Sequence, residues 1–156
     1  MSNPTVTYLI AFFIACFSAG CSTPEPKKAN VKIVEPLGVM IDRISEQHNI
    51  PPTLGHALVE FESSYDEFNV SHTGAMGLTQ VLKSTAKGEC GIKKNKTLFN
   101  REANLNCGFS YLAKLKARYG TWYRALVSYK MGMKYVNNPD LAAKQYAMKI
   151  LRKANI

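Results

Sequence analysis

The residues best suited to chemistry run from Glu62 to Gln80: Glu62-Ser63-Ser64-Tyr65, then Ser71-His72-Thr73-Gly74-Ala75-Met76-Gly77-Leu78-Thr79-Gln80. A carboxylate near the end of a predicted helix is followed by a turn-prone polar segment and a loop of small residues. On a helical wheel with the apolar stripe centred near Leu54, Leu58 and Phe61, Glu62 falls about 80–90° from the centre and Glu60 about 115–120°. Glu62 is therefore the carboxylate on the shoulder of the stripe, and the one more open to desolvation. Loss of water disfavours the charged form and keeps a carboxyl protonated nearer neutrality. A protonated carboxyl at the lip of a cleft can donate to a glycosidic oxygen as that bond breaks. The unbranched Gly74-Ala75-Met76-Gly77 backbone permits close approach of a ligand, and Gln80 offers donors and acceptors. Taken alone, the same residues also fit an ordinary helix-loop-helix corner whose glutamate reaches water.

The elements that position these residues read as helices almost throughout. Leu37, Met40, Ile41 and Ile44 form a first apolar stripe that stops before Asn49. Pro51-Pro52 opens a second helix, since proline is tolerated in a first turn. Leu54, Ala57, Leu58, Phe61 and Tyr65 form its predicted inner face. A short third helix is predicted just after Gly77, with Leu78, Val81, Leu82 and Ala86 inward, and residues 88–99 read as a Lys-rich loop. Asn100 is a plausible N-cap for a long helix that ends at Gly120, and Thr121 caps the next. A last helix is predicted from Pro139 to about Lys153. The fold class is a compact, mainly α domain.

The chain has 156 residues, enough for one domain once its N-terminus is set aside. Residues 1–20 carry no charged side chain, are largely apolar from Tyr8 onward, and end in Ser18-Ala19-Gly20 before Cys21. That pattern reads as a signal peptide rather than a membrane span. The small-small-Cys ending also looks like a bacterial lipobox, with Cys21 as the lipidated first mature residue. Cleavage without a lipid and an uncleaved anchor are the alternatives. Residues 21–36 are rich in Pro and Lys and read as a flexible tether, leaving 37–156 as the folded domain. Residues 21–82 carry 4 basic and 8 acidic side chains, whereas residues 83–156 carry 16 and 3. A basic second half suits an anionic polymer or surface, or a solvated Lys-rich helical face. No helix-turn-helix, RNA-binding or zinc-finger signature accompanies the lysines, so nucleic acid is not an expected partner. Cys90 and Cys107 fall in the domain and either pair in an oxidising compartment or stay as buried thiols. No Cys/His spacing suggests a metal, and no cofactor motif is present. His48 and His56 sit at helical positions with no catalytic pattern around them, whereas His72, beside Ser71, is placed to line a cleft.

Four ordered segments resemble the soluble lytic transglycosylase family, lysozyme-like enzymes that cut bacterial peptidoglycan. Glu62-Ser63 resembles its catalytic Glu-Ser segment. Gly74-Ala75-Met76-Gly77-Leu78 with Gln80 resembles its Gly-Ala-x-Gly-Leu-x-Gln run. Asn104-Leu105, Gly108 and Tyr111-Leu112 resemble the next segment, and Ala125-Leu126 with Ser128-Tyr129 resembles the helix carrying its Ala-Tyr-Asn-Ala-Gly motif. Here the chain has Lys130 in place of Asn, and Thr79 and Leu82 at Met positions expected beside the cleft. The resemblance, which spans about residues 37–135, implies a goose-type-lysozyme-like fold and Glu62 as single acid and base. It implies Ser71, Gln80, Met76 and Ser63 as substrate-side residues, with Tyr129 facing the acid. It implies cleavage between N-acetylmuramic acid and N-acetylglucosamine with a 1,6-anhydromuramoyl product. A hydrolytic muramidase and a weakened wall-binding accessory of a secretion or conjugation apparatus are the other expectations. Asp66, Glu67 and Glu60 are the candidates should a second carboxylate act. The expected setting is the periplasm, on peptidoglycan strands, with a membrane anchor through Cys21.

Overall fold

The computed structural model describes residues 34–156. Helix α1 (Leu37–Gln47) follows Pro36 and turns Ile41, Ile44 and Ser45 inward. Pro51 and Pro52 start α2 (Pro52–Ser63), whose first-turn amides need no intrahelical partner. Helix α3 is short (Lys83–Glu89), and a 3-10 turn at Asn95–Phe99 leads into α4 (Arg101–Tyr119). The Asn100 side chain accepts from the Ala103 amide at 2.9 Å, and Gly120 closes α4 with φ at 80°. Thr121 accepts from the Arg124 amide at the start of α5 (Trp122–Met131). Asp140 caps α6 (Leu141–Lys153) by accepting from the Ala143 amide at 2.7 Å. Each side-chain cap contributes about 1 kcal/mol.

Helix α4 packs on α1 and α5, α5 packs on α6, and α2 packs on α1 and α6. Leu54, Leu58, Leu105, Phe109, Leu112, Leu126 and Ile150 are shut off from solvent at the centre. Burial of each such side chain contributes about 1.5–3 kcal/mol, so this cluster fixes where the end of α2 comes to rest. The described residues contain no β-sheet, only isolated bridges of Met76 with Val70 and with Val81.

Two boundaries differ from the sequence reading, one of them in residues 88–99, read as a loop, which hold the end of α3 and the 3-10 turn at Asn95–Phe99. The third helix begins at Lys83 rather than just after Gly77, because residues 77–81 are drawn into turns and bridges, and Leu82 is left 42% exposed. Ahead of α1, Arg43 donates to both Glu35 carboxylate oxygens, at 3.0 and 2.7 Å, and pins residue 35 to the helix. The rest of the predicted signal and tether, including Cys21, lies outside the described residues.

A smaller cluster of Val81, Ala86, Leu98 and Cys107 sits under the loop. Cys90 and Cys107 are disulfide-bonded with Cα atoms 5.4 Å apart, tying the end of α3 to α4. So small a cluster offers little burial energy, so the crosslink matters there. A loop of this size gives about 3 kcal/mol in the chain-entropy picture. Reduction, or a Cys90→Ser/Cys107→Ser double variant, is expected to lower Tm by about 10 °C in thermal unfolding. An unchanged Tm would mean that the bond adds nothing.

Candidate active site

Helix α2 ends one residue past Glu62. Ser64 takes a left-handed conformation (φ 53°) while its amide donates to the Glu60 carbonyl, and Tyr65 follows with φ 65°. The buried positions of α2 are Leu54, Gly55, Ala57, Leu58, Val59 and Ser63. Glu62 stands at i+3 from Val59, i+4 from Leu58 and i+7 from Gly55, which places it in line with the buried face rather than on its shoulder. The wheel misplaced it because Phe61 is not core. Phe61 is 44% exposed and rests edge-on against Tyr146, with ring centroids 5.1 Å apart.

Tyr146 comes from α6, on the buried stripe it forms with Ala143, Ala147 and Ile150. Its hydroxyl donates to Glu62 Oε1 at 2.5 Å. Burial pushes the Glu62 carboxyl above the usual carboxylate range, while the Tyr146 hydrogen bond and the Lys130 charge pull against that rise. Desolvation is the largest of these influences, so Glu62 holds its proton to higher pH than an exposed glutamate.

The loop facing Glu62 is held from α4 by one side chain. Asn104, 1% exposed, accepts from the Thr79 amide at 2.9 Å and the Thr79 hydroxyl at 2.7 Å. Its Nδ2 donates to the Met76 and Leu98 carbonyls at 2.9 and 2.8 Å. Two glycines permit this approach. A Cβ on Gly77 would sit 2.2 Å from Asn104 Nδ2, and one on Gly108 would sit 2.3 Å from Thr79 Oγ1. Tyr129 donates to the Thr79 carbonyl at 2.8 Å, so the loop is clamped from α5 as well.

Glu62, Ser71, Gln80 and Tyr129 line one cavity of about 440 Å³, with His72, Tyr111 and Lys130 also in its wall. The structure thus brings together four of the six site residues expected from the sequence. Ser63 is not among them. It is buried, and its hydroxyl bonds back to the Val59 carbonyl at 3.1 Å, as serine does inside a helix. Met76 is not among them either, because it packs against the cluster of Val81, Leu98 and Cys107. Thr79, expected beside the cleft, is fully buried under the loop.

The polar groups that remain have assigned work. Ser71 Oγ accepts from the Ala75 amide at 3.0 Å and shapes the turn. The Gln80 amide nitrogen donates to the Asn69 and Gly77 carbonyls at 3.2 and 3.0 Å. Two carbonyl partners fix the side-chain orientation, and the oxygen, an acceptor, is the end left for a ligand. Gln80 also holds φ at 49°, an uncommon backbone state for a residue other than glycine. Tyr129 bonds the loop backbone, not Glu62. The hydroxyl that contacts the acid belongs to Tyr146, which sequence reasoning missed. The available signal was a lone Tyr within an Ala/Ile stripe, since a buried phenol generally finds a partner.

The other carboxylates are engaged elsewhere. Asp66 accepts from the Phe68 amide at 2.9 Å, Glu67 is paired with Arg101, and Glu60 with Lys153 at 2.7 Å. None lines the cavity, so among the described residues Glu62 is its single carboxylate. His48 bonds Asn106 and His56 bonds Asp42, both away from this cavity. No group of three or more His, Cys, Asp or Glu side chains that could hold a metal occurs among the described residues.

This helical architecture has structural counterparts. The chain superimposes on the lytic transglycosylase Slt of Pseudomonas aeruginosa with a TM-score of 0.68 and 20% identity, over 74% of this chain and 23% of that one. It superimposes on the 70 kDa soluble lytic transglycosylase of Escherichia coli with a TM-score of 0.67 and 22% identity, over 76% of this chain and 24% of that one. The fold is therefore of the lysozyme-like transglycosylase class. Residues 39–151 match the Transglycosylase SLT domain family, to which the chain belongs. It is 36% identical over 87 residues to membrane-bound lytic murein transglycosylase C of Edwardsiella ictaluri, covering 51% of this chain and 24% of the relative. It is 32% identical over 116 residues to membrane-bound lytic murein transglycosylase F of Desulfosudis oleivorans, covering 70% of this chain and 25% of the relative. The chain spans about a quarter of the length of these relatives.

Proposed function

We propose that this protein is a peptidoglycan lytic transglycosylase in which Glu62 is the single acid and base. The observation that carries the reading is the half-buried Glu62, its carboxyl pushed above the usual range by desolvation, as the one carboxylate of the cavity among the described residues. A single carboxyl is sufficient if no water must be activated. Glu62 gives its proton to the oxygen joining N-acetylmuramic acid to N-acetylglucosamine, and the C1–O bond breaks. The oxocarbenium-like centre is stabilised by the substrate's own N-acetyl group. The Glu62 carboxylate then takes the proton of the muramoyl 6-hydroxyl, and O6 bonds to C1. Glu62 ends protonated, the 1,6-anhydro ring is closed, and no water is consumed. The oxygen of Gln80 and the hydroxyl of Ser71 are placed to meet sugar polar groups, and Tyr111 and Tyr129, 5.6 Å apart, form an aromatic wall.

The setting that fits is the periplasm, reached through the N-terminal export signal, with Cys21 as a lipid anchor to the membrane. Two relatives are named as membrane-bound murein transglycosylases. Docking on a secretion or conjugation apparatus is a further assignment that no contact here supports.

Incubation with purified peptidoglycan sacculi is the test: the wild-type chain should clear the suspension. A folded protein that leaves the sacculi intact would overturn the reading. Tyr146→Phe adds a signed check. The Tyr146 hydrogen bond favours the charged carboxylate, so its loss moves the Glu62 pKa further up. The basic limb of the pH–rate profile, where the acid loses its proton, should shift to higher pH, with a lower maximal rate. A limb that stays in place would separate Tyr146 from the acid's titration.

A further inference from the structure

Lys130 stands at the end of α5, where the cavity of Glu62 borders a second depression. It lines both the 440 Å³ cavity and a neighbouring hollow of about 310 Å³ that also includes Met131, Tyr135, Asp140 and Ala143. Its Nζ lies 5.3 Å from the centre of the Tyr146 ring, on the same tyrosine that holds Glu62. Among the described residues no carboxylate forms a salt bridge with Lys130; most described lysines share that, Lys114 and Lys153 having partners, but Lys130 is the lysine that lines the Glu62 cavity. Among the described residues, the remaining walls of the Glu62 cavity are hydroxyl, amide, aromatic and aliphatic groups, with His72 the only other basic side chain. Lys130 acts on the Glu62 carboxyl through space and makes no ion pair with it. The hollow's own carboxylate, Asp140, is committed to the Ala143 amide as the cap of α6. A flexible ammonium with three donors, unpaired between two hollows, is a seat for an anionic group.

We propose that Lys130 binds a carboxylate on the acidic peptide branch of the glycan, with the branch lying in the hollow beside Asp140 while the sugar occupies the Glu62 cavity. The inference rests on the glycan-cleaving reading for the identity of the polymer. It makes Lys130 a specificity residue: strands that carry acidic stems are taken in preference to strands whose stems are absent or neutral. The branch leaves the muramoyl residue beside the bond that breaks, so a seat adjoining the acid's cavity is where its charge would be met.

Binding, not turnover, is the test, and it is made in the full chain carrying Glu62→Gln so that the ligand survives. Calorimetry compares peptide-bearing tetrasaccharides with free stem carboxylates against the same compounds with those carboxylates amidated. The free acid should bind roughly tenfold more tightly, as expected for one charge-assisted hydrogen bond. That preference should vanish in Lys130→Gln, persist in Lys130→Arg and shrink as salt is raised. Equal affinity for the two ligands, no binding of either, or a preference that survives Lys130→Gln would overturn the proposal. Cleavage by the wild-type chain is scored separately. Stem-selective binding without cleavage would sustain the role of Lys130 and remove the proposed activity, whereas cleavage without selective binding would do the reverse.

Discussion

Glu62→Gln is expected to lower the rate of glycan cleavage by at least about a thousandfold while leaving the domain folded. One positioned acid or base is worth about 10²–10⁴ in rate, and Glu62 serves as both in turn. Glutamine is nearly the same size and can still accept from the Tyr146 hydroxyl, so packing at the end of α2 is retained. The variant should also be the more stable protein at neutral pH. The folded-state pKa of Glu62 is raised, so the folded protein binds the proton more tightly than the unfolded chain does. The stability tied to that proton is complete below the unfolded-state value and is lost as pH rises through the folded value. Above that window, glutamine removes the cost of a desolvated charge. The expected result is a Tm gain at pH 7 that disappears in acid. A Tm below wild type at pH 7 would mean that the charged carboxylate is a net stabiliser, and that desolvation does not dominate.

Asn104→Ala is the second large effect, and it acts on structure. The substitution leaves the Thr79 amide and the Met76 and Leu98 carbonyls without their partner in a region closed to water. Each unpaired buried group costs about 1–3 kcal/mol, so a loss of about 3–5 kcal/mol is expected. The corresponding fall in Tm is about 10–20 °C. The loop should loosen before the helices do, because the Asn104 hydrogen bonds hold the backbone of residues 76, 79 and 98 rather than the helix-to-helix contacts. Amide exchange at Thr79 should therefore rise more than at Leu112. Uniform acceleration across the domain would contradict the local role given to Asn104. The argument predicts little relief from Asn104→Asp, which accepts from Thr79 but cannot donate to the two carbonyls.

The helices were legible wherever a cap or a proline punctuated them. Pro51-Pro52, Asn100, Gly120 and Thr121 all mark observed boundaries. Local periodicity could not place the start of α3, because the backbone from Gly77 to Val81 obeys a side chain 25 residues further along, at Asn104. The acid was legible for its type and position. Its depth was underestimated, because Phe61 counts as apolar on a wheel yet lies over Tyr146 at the surface. Tyr146 was not legible as the acid's partner, since 84 residues separate it from Glu62 and only the packing of α6 on α2 joins them. Ser63 is assigned to the substrate by the resemblance of Glu62-Ser63 to the family's Glu-Ser segment. One residue along a helix is a turn of about 100°, and that turn takes it to the Val59 carbonyl. Lys130 stood out by its type, but its position between two hollows is a property of the folded chain.

The most direct measurement is mass spectrometry of the soluble products released from purified peptidoglycan by the wild-type chain, with Glu62→Gln as control. The account predicts 1,6-anhydromuramoyl ends that vanish in the variant. Reducing muramoyl ends would contradict it, because they mean that water rather than the muramoyl 6-hydroxyl attacks C1. Anhydro products that persist in Glu62→Gln would remove Glu62 from the chemistry altogether.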